Sequence, residues 1–292
     1  MIRRLILLSS EDGCYDIMLD DLIHLLKKFR MARYYVKSSV EAWNRREIYH
    51  DINDYFFILF PHLVKIPFPE KKYWLYFLEQ NLNGTLSPWY NQKIVGALLS
   101  DSIKNFDFNQ NNIKIWHKMI PHLQMSYLPV PIYPIPNTNS VAKRYDLLFY
   151  GQMTKRRVEI LKSIQGRFPH LKYCISENLK GAKLHQAMNE SRILLNLHAD
   201  DGESLLEQPK LHEVLRYNMF IISEFPGIDQ TELVENYKCC IEFTDIIEKD
   251  LSNMGGLFAK ITRYINLTES PKCDYNYGYK ILFAKHYPQI SF

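Results

Sequence analysis

The sequence has few cysteines, and their arrangement excludes two common uses of that residue. There are five in 292 residues, with no CxxC pair and with two of them adjacent. An odd number without paired spacing argues against a disulfide framework and against a zinc site. We therefore expect a protein of a reducing compartment, the cytoplasm. The five positions are Cys14, Cys174, Cys239, Cys240 and Cys273.

Long apolar runs are also missing. No stretch approaches the ~20 apolar residues that a membrane-spanning helix needs, so we expect no transmembrane segment. The N-terminus imitates a signal peptide over Met1–Leu8, but the apolar run stops at Ser9 and acidic residues follow at once. A first β-strand is the better interpretation of this run.

Several well-known catalytic motifs are absent. The chain has no Walker A, GxGxxG, HExxH or GxSxG sequence and no kinase set, so ATPase, dehydrogenase, zincin and hydrolase functions have no local support. The formal net charge is only +4, and lysines and arginines are dispersed along the chain. This pattern does not predict a nucleic-acid partner.

What the sequence does contain is alternation of apolar strands with helical segments, in two successive halves. Such alternation predicts parallel sheets covered by helices, an α/β fold. The halves meet at a proline-rich stretch, 128–136, which cannot lie inside a helix or a central strand. We expect an N-terminal domain at 1–134, a C-terminal domain at 135–270, and a final segment at 271–292 that packs back toward the hinge or the N-terminal domain. The alternative is an ordinary long loop within one domain.

The most informative stretch runs from Tyr145 to Glu224. It opens with an apolar strand that ends at Gly151, followed by the basic pair Arg156-Arg157 at the start of a helix. A glycine lets the backbone approach a ligand, while helix N-terminal N–H groups and guanidinium groups bind phosphate. The stretch closes with carboxylates on or beside a helix that leads into a second apolar strand, and carboxylates accept hydrogen bonds from ribose or sugar hydroxyls. This pattern suggests a nucleotide-sugar site.

The chain resembles GT-B-fold glycosyltransferases, in particular the family 1/4-like group. The resemblance rests on several motifs, found in the family's order over about two-thirds of the chain. They are the strand–Gly151–Arg156-Arg157 turn, the 207–224 helix and strand, the strand Trp74–Gln80 ending in Glu-Gln, the element Phe106-Asp107-Phe108 with Asn112, and the hinge entry Leu128–Ile132. The resemblance implies two Rossmann-like domains facing each other across a cleft. The spacing between Glu207 and Glu213 is shorter than the family's carboxylate pair, and Asn218 replaces a family glycine.

The resemblance implies specific roles in the C-terminal half. Gly151, Arg156 and Arg157 would hold the diphosphate, and the family does so without a bound metal. The remaining donor-site candidates lie further along the chain: Lys210 at the phosphate, Leu211 next to it in the donor site, Glu213 at the ribose, Glu207 nearer the transferred sugar, and His198 at the sugar or diphosphate. The alternatives are a plain turn at Gly151, a solvated basic pair, a surface ion pair between Lys210 and Glu213, and a structural histidine.

On the N-terminal side an inverting enzyme needs a base that deprotonates the acceptor hydroxyl. Glu11 and Asp12 follow the first strand and Asp16 begins the next helix, so all three are candidates. Glu79 and Gln80 end a later strand at the same edge of the sheet and are predicted to line the acceptor site. The alternative at Asp12 is a simple turn with Gly13.

These patterns together predict a metal-independent sugar transferase with no cofactor. Its substrates would be a nucleotide-diphosphate sugar and a hydroxyl acceptor, such as a glycan. Two alternatives stay open, because fold does not determine chemistry. One is a sugar-nucleotide epimerase of the same fold, and the other is a protein that binds a nucleotide sugar without catalysis.

Overall fold

The computed structural model describes most of the chain. The residues it describes are 2–12, 16–28, 30–69, 71–81, 90, 92–128, 130, 141–199, 204–215, 217, 219–227, 234–235, 237–238, 241–244 and 254–265, with the side chains at 16, 17, 92 and 93 left out. The chain divides into two compact units, Met1–Tyr133 and Pro134–Phe292. The predicted proline-rich connector, apart from two of its residues, and the predicted final segment at 271–292 lie outside the described residues.

The N-terminal unit is built on a six-stranded parallel sheet with strand order β2-β1-β3-β4-β5-β6. Its elements in chain order are β1 (Ile2–Ser9), α1 (Asp16–Lys28), β2 (Ala32–Ser39), α2 (Val40–Asn44), β3 (Asp54–Ile58), the 3-10 turn Pro61–Leu63, β4 (Tyr73–Phe77), α3 (Gln92–Asp101), β5 (Lys104–Asp107), α4 (Gln110–Met119) and β6 (Met125–Tyr127).

The apolar content of the central strands explains why this sheet forms. Leu5, Ile6, Leu7 and Leu8 are consecutive in β1 and all are at most 1% exposed. Burial of successive residues means that both faces of the strand are covered, as is usual in parallel sheets. The apolar runs of this half predict strands at 2–9, 33–37, 54–60 and 72–79. The structure confirms them as β1, β2, β3 and β4, with ends that move by a few residues.

Asparagines concentrated between Asn105 and Asn112 predict a turn there, and this prediction is wrong. Lys104–Asp107 forms β5, which pairs in parallel with β4 and with β6. Asparagine and aspartate disfavour strands, but here tertiary hydrogen bonds satisfy their polar atoms. Ser102 Oγ donates to Asn105 Oδ1 at 2.8 Å, and Asp107 accepts three hydrogen bonds from the segment that follows.

The C-terminal unit contains a five-stranded parallel sheet of order β11-β10-β9-β7-β8. Its described elements are β7 (Tyr145–Tyr150), α5 (Lys155–Arg167), β8 (Tyr173–Ser176), α6 (Gly181–Glu190), β9 (Ser191–Asn196), α7 (Gln208–Val214), β10 (Phe220–Glu224), β11 (Glu242–Thr244) and α8 (Gly255–Ile265). The apolar runs of this half predict strands at 146–150, 171–175, 193–197, 219–223 and 239–243, and the structure confirms all five as β7 to β11 with shifted ends. The sequence also predicts one long helix from about Asp245 to Asn266. It is confirmed over Gly255–Ile265, while 245–253 lie outside the described residues.

The buried core of this unit joins its sheet to α5 and α8. Phe149 of β7 and Ile222 of β10 pack in one cluster with Ile164 of α5 and Leu257 of α8. The packing fixes where each strand ends and where the next helix begins. Those junctions carry the polar residues considered below.

None of the helices in the described residues is both long enough and apolar enough to cross a membrane. The same part of the chain also has no group of three or more histidine, cysteine, aspartate or glutamate side chains placed to hold a metal ion.

Candidate functional site

The predicted donor residues gather at one edge of the C-terminal sheet. Gly151 follows β7, His198 follows β9, and Glu224 ends β10. Because the three strands are parallel and adjacent, their carboxyl ends meet at the same edge. Helices α5 and α7 begin close by, which brings Arg156, Arg157 and Lys210 to that edge.

The turn after β7 has a backbone conformation that favours glycine. Gly151 has a φ of +124°, in the region that side-chain-bearing residues rarely adopt. Its N–H donates to the Ser176 carbonyl at 3.3 Å. Thr154 then caps α5 by accepting a hydrogen bond from the Arg157 N–H, and its hydroxyl donates to the Ala199 carbonyl at 2.7 Å.

Arg156 is part of a buried ion pair. Its guanidinium makes two hydrogen bonds to the Glu224 carboxylate, one of them at 2.9 Å, and the side chains are only 11% and 4% exposed. A further bond joins Arg156 to the His198 carbonyl at 3.3 Å, and the His198 N–H donates to Glu224. The three residues therefore fix the ends of β9 and β10 relative to the start of α5.

Arg157 is equally buried and holds two backbone segments. Its Nε and Nη2 donate to the Leu197 carbonyl at 3.0 and 2.6 Å, and its Nη1 donates to the Gln152 carbonyl at 2.9 Å. The guanidinium lies 5.5 Å from the centre of the Phe149 ring. The alternative of a solvated arginine pair is wrong for both residues.

Lys210 of α7 brings a buried ammonium group to the turn. Its Nζ donates to the Tyr150 carbonyl at 3.2 Å and lies 4.7 Å from the centre of the Tyr150 ring. Glu207 Oε2 lies 3.5 Å from the same Nζ. Burial lowers the pKa of Lys210 and Arg157 lowers it further, while Glu207 acts in the opposite direction. An additional anion at this position would therefore stabilise the charged lysine.

Glu207 faces both cations from the residue that precedes α7. Arg157 Nη2 lies 3.8 Å from its Oε1, and Lys210 lies at the other oxygen. Burial opposes ionisation of Glu207, but Lys210, Arg157 and His198 outweigh it, so its pKa is below the ordinary value. Glu207 is thus a carboxylate already held by the basic cluster, which we define as Arg156, Arg157 and Lys210.

The remaining C-terminal candidates are all buried, but they have different surroundings. Leu211 is fully buried, so its side chain belongs to the core of the unit. Glu213 is 3% exposed and lies on α7 one turn after Lys210. His198 is 7% exposed, and its Nε2 is 2.8 Å from the Phe225 carbonyl. The surface ion pair considered for Lys210 and Glu213 does not fit, since neither side chain is on the surface.

The predicted base candidates lie after β1, at the carboxyl edge of the N-terminal sheet. Glu11 is exposed and makes a bidentate ion pair with Arg45, which lowers its pKa. Asp12 is exposed and accepts a hydrogen bond from Ser10 Oγ at 2.6 Å. The side chain of Asp16 lies outside the described residues.

A second polar cluster lies at the same sheet edge, after β3, β4 and β5. It contains His62 of the 3-10 turn, Glu79 two residues beyond β4, and Asp107 at the end of β5. His62 Nε2 is 3.9 Å from Glu79 Oε1. Gln80 follows Glu79 and is half-buried. We name His62, Glu79, Asp107 and Asn112 the acidic cluster.

Sequence reasoning missed two residues at these sheet edges, His62 of the acidic cluster and Glu224, the partner of Arg156. Glu224 was part of the matched strand pattern, but nothing local shows that it pairs with a residue 68 positions earlier. One feature of the sequence could have identified His62 as a candidate, namely its position shortly after the aromatic strand β3. A polar residue just beyond a parallel strand is a candidate for the functional edge.

Comparison with known proteins identifies a similar fold but gives little similarity in sequence. No family model matches the chain. An uncharacterised protein of Acanthamoeba polyphaga mimivirus is 27% identical over 180 residues, which are 61% of this chain and 61% of that protein. The chain therefore spans about three fifths of the length of this relative.

Among solved structures, the chain is similar to AviGT4, a glycosyltransferase involved in avilamycin A biosynthesis. The TM-score is 0.50 at 10% identity, covering 97% of this chain and 98% of that one. WaaG, a glycosyltransferase involved in lipopolysaccharide biosynthesis, gives a TM-score of 0.48 at 11% identity, with 97% and 95% covered. The likeness to AviGT4, together with the two parallel sheets, confirms the predicted GT-B fold.

Proposed function

We propose that the protein is a glycosyltransferase that moves a sugar from a nucleotide-diphosphate sugar to a hydroxyl acceptor. The GT-B fold supports the general class, and the basic cluster supports the donor. The observation that carries the proposal is Lys210, a buried ammonium held at the carbonyl of the residue before Gly151. A diphosphate at this turn would give the buried ammonium a second anionic partner beside Glu207, and so would favour its charged form further.

The leaving group explains why cations belong at this position. When the bond between the anomeric carbon and the diphosphate breaks, the nucleoside diphosphate leaves with the electron pair and gains negative charge. Lys210 and the start of α5 would stabilise that charge. Arg156 and Arg157 would act by holding the turn, since both are engaged with a carboxylate or with carbonyls. We propose that no metal ion is required.

The carboxylates around the cations have separate proposed tasks. Glu213 would accept hydrogen bonds from the ribose hydroxyls, since it lies one turn along α7 from Lys210. Glu207 would lie nearer the transferred sugar and would keep Lys210 charged before the donor arrives. The acceptor, for which a glycan is our proposal, would bind to the N-terminal unit. Confinement to the cytoplasm is part of the same proposal.

The test is thermal unfolding of the purified protein against UDP, GDP, ADP, TDP and their sugars, with and without EDTA. A nucleotide at about 100 times its dissociation constant stabilises by about 2.7 kcal/mol, which raises the melting temperature measurably. We expect one nucleotide family to do so in EDTA. We also expect Lys210→Gln to lose most of the shift, because it removes the ammonium at similar length.

The matched control is Lys183→Gln, which changes an exposed lysine on α6 of the same unit. It should keep the full shift. A wild-type protein that none of these nucleotides stabilises would contradict the proposal. So would a shift that requires a divalent metal, or one that Lys210→Gln leaves intact.

A further inference from the structure

The acidic cluster is a second organised polar site, in the N-terminal unit. His62, Glu79 and Asp107 follow three neighbouring strands, β3, β4 and β5, at their carboxyl ends. The side chain of Glu79 is 29% exposed and that of His62 is 12% exposed. The Glu79 carboxylate can therefore be reached from solvent, while most of its surroundings are protein.

Burial raises the pKa of Glu79 above its ordinary value. A carboxylate whose pKa is raised binds a proton more strongly, and is a better base at neutral pH than an ordinary one. Its neighbours do not cancel this effect. Burial lowers the pKa of His62 to about 4, so the imidazole is uncharged at neutral pH. Tyr90, whose ring lies 6.0 Å from that of His62, is buried and has a raised pKa.

A hydrogen-bond network fixes the backbone on which Glu79 stands. Asn112 Nδ2 donates to the Glu79 carbonyl at 2.8 Å and to Asp107 Oδ1 at 3.0 Å. The Asn112 Oδ1 accepts from the Asn81 N–H at 2.9 Å. Trp116 Nε1 in turn donates to Asp107 Oδ2 at 3.1 Å. Asn112, Asp107 and Trp116 are all fully buried, so the loop after β4 is attached to a rigid base.

We propose that Glu79 is the general base that removes the proton from the acceptor hydroxyl, with His62 as a positioning residue beside it. This rests on the proposed function. As the acceptor oxygen bonds to the anomeric carbon, its proton passes to a Glu79 oxygen. The carbon–oxygen bond to the diphosphate breaks, and the nucleoside diphosphate leaves with that electron pair. Attack opposite the leaving group inverts the anomeric centre.

The contrast with Glu11 favours this assignment. Both glutamates follow a strand at the same edge of the sheet, but Glu11 makes a bidentate ion pair with Arg45. That pairing stabilises its ionised form and lowers its pKa, which weakens it as a base. Of the two carboxylates, Glu79 is therefore the one whose raised pKa favours uptake of a proton.

The experiment measures nucleoside diphosphate release by the full-length protein and by Glu79→Gln. The donors are UDP-glucose, UDP-N-acetylglucosamine and GDP-mannose, and the acceptors are an array of 4-nitrophenyl glycosides and water. We expect Glu79→Gln to lower kcat by about 100-fold or more with little change in the acceptor KM, as the loss of a general base does. Glu47→Gln, an exposed glutamate of the same unit, should behave as the wild type.

Two further measurements separate a base from a structural residue. Formate should restore part of the activity of Glu79→Ala, and the acidic limb of the wild-type pH profile should disappear in Glu79→Gln. NMR of the product should show an inverted anomeric configuration. His62→Gln should keep the acidic limb while lowering kcat, because it leaves the base in place.

Unchanged turnover in Glu79→Gln overturns the assignment, and so does a product of retained configuration. A wild-type protein that binds a donor yet releases nucleoside diphosphate to no acceptor and not to water overturns it too. Thermal shift by the nucleotide is measured on each variant. If no nucleotide shifts the melting temperature of the wild type, the proposed function itself has failed, and not only the assignment of Glu79.

Discussion

The basic and acidic clusters occupy the same position in their sheets but differ in the charge state of their buried side chains. Each lies at the carboxyl edge of a parallel sheet. In the C-terminal unit the buried charges are paired, as in Arg156 with Glu224 and Lys210 with Glu207. In the N-terminal unit burial suppresses charge instead, since it raises the pKa of Asp107 to about 8 and lowers that of His62 to about 4.

This difference shows how one type of sheet edge can serve two kinds of chemistry. Fixed, paired charges suit a ligand whose own charge is permanent, such as a diphosphate. A carboxyl group whose pKa is raised toward neutrality, as at Asp107 and Glu79, suits proton transfer, because it can change protonation state near the working pH. His62 stays uncharged beside them. The following predictions test whether the two clusters really differ in this respect.

The largest effect is expected from breaking the buried ion pair. Arg156→Ala leaves the Glu224 carboxylate buried and without its guanidinium, which costs about 3–5 kcal/mol of the free energy of unfolding. Chemical denaturation measures it. Adding Glu224→Gln to this variant should recover part of the loss, since the unpaired charge is then gone.

The control for that experiment is Arg144→Ala in the same unit. Arg144 also pairs with a glutamate, Glu190, but its side chain is 62% exposed. An exposed pair contributes only about 0–1 kcal/mol, so this variant should stay close to the wild type. Equal losses in the two arginine variants would contradict the view that the C-terminal cluster depends on buried pairing.

The burial of uncharged His62 in the acidic cluster should make the stability of the protein depend on pH. The pKa of His62 is about 4 in the folded protein and 6.5 is its ordinary value. Between these values the unfolded chain binds more protons, so stability falls as the pH falls from about 6.5 to about 4. The decline amounts to at most about 3.4 kcal/mol, because the two pKa values differ by about 2.5 and each unit of pKa corresponds to 1.36 kcal/mol.

Denaturation curves of the wild type and His62→Gln, recorded across that interval, isolate this contribution. Asp107, Glu79 and Tyr90 are present in both proteins, so the contributions of these neighbours largely cancel in the difference. We expect the wild type to lose stability relative to His62→Gln as the pH falls. A difference that stays constant with pH would show that His62 is not held neutral by burial.

A smaller effect is expected at the turn that joins β7 to the basic cluster. Gly151→Ala forces a side-chain-bearing residue to a φ of +124° and should cost on the order of 1–2 kcal/mol. The cost comes from the backbone, because a Cβ at this position would lie 3.6 Å from Arg157 Nη1, an ordinary contact.

Gly166→Ala is the matched substitution in α5, where an added Cβ meets nothing within 4 Å. Since alanine is the better helix former by about 1 kcal/mol, this variant should be slightly more stable than the wild type. Thermal unfolding compares the two. If Gly151→Ala is stabilised as well, the turn does not need a glycine.

The C-terminal unit was the more predictable half because its strands are short apolar runs between clear helical stretches. Its five strands and the position of Gly151 at a strand end follow from pattern alone. The N-terminal unit was harder. In β5 the sequence Lys-Asn-Phe-Asp has local preferences for a turn. Pairing with β4 and β6 and the hydrogen bonds of Asn105 and Asp107 reverse them.

The candidate site shows the same limit. Sequence spacing places Lys210 and Glu213 on one helix and suggests that they share a face. It cannot show that Lys210 pairs with Glu207, or that Arg156 reaches Glu224, because these distances are decided by how strands and helices pack. Residue types at strand ends could be predicted, whereas the partners that tune their pKa values could not.

The pairing of Arg156 with Glu224 also has a consequence for the order of folding. Arg156 lies near the beginning of the C-terminal unit and Glu224 lies 68 residues later, at the end of β10. During synthesis, Gly151 and the start of α5 emerge long before the carboxylate that holds them. We expect a chain interrupted before Glu224 to carry the glycine turn, both arginines and Lys210, but to leave Arg156 without the carboxylate that positions it. Ligand binding would then report the docking of β10, because Arg156 meets its carboxylate partner only when Glu224 arrives.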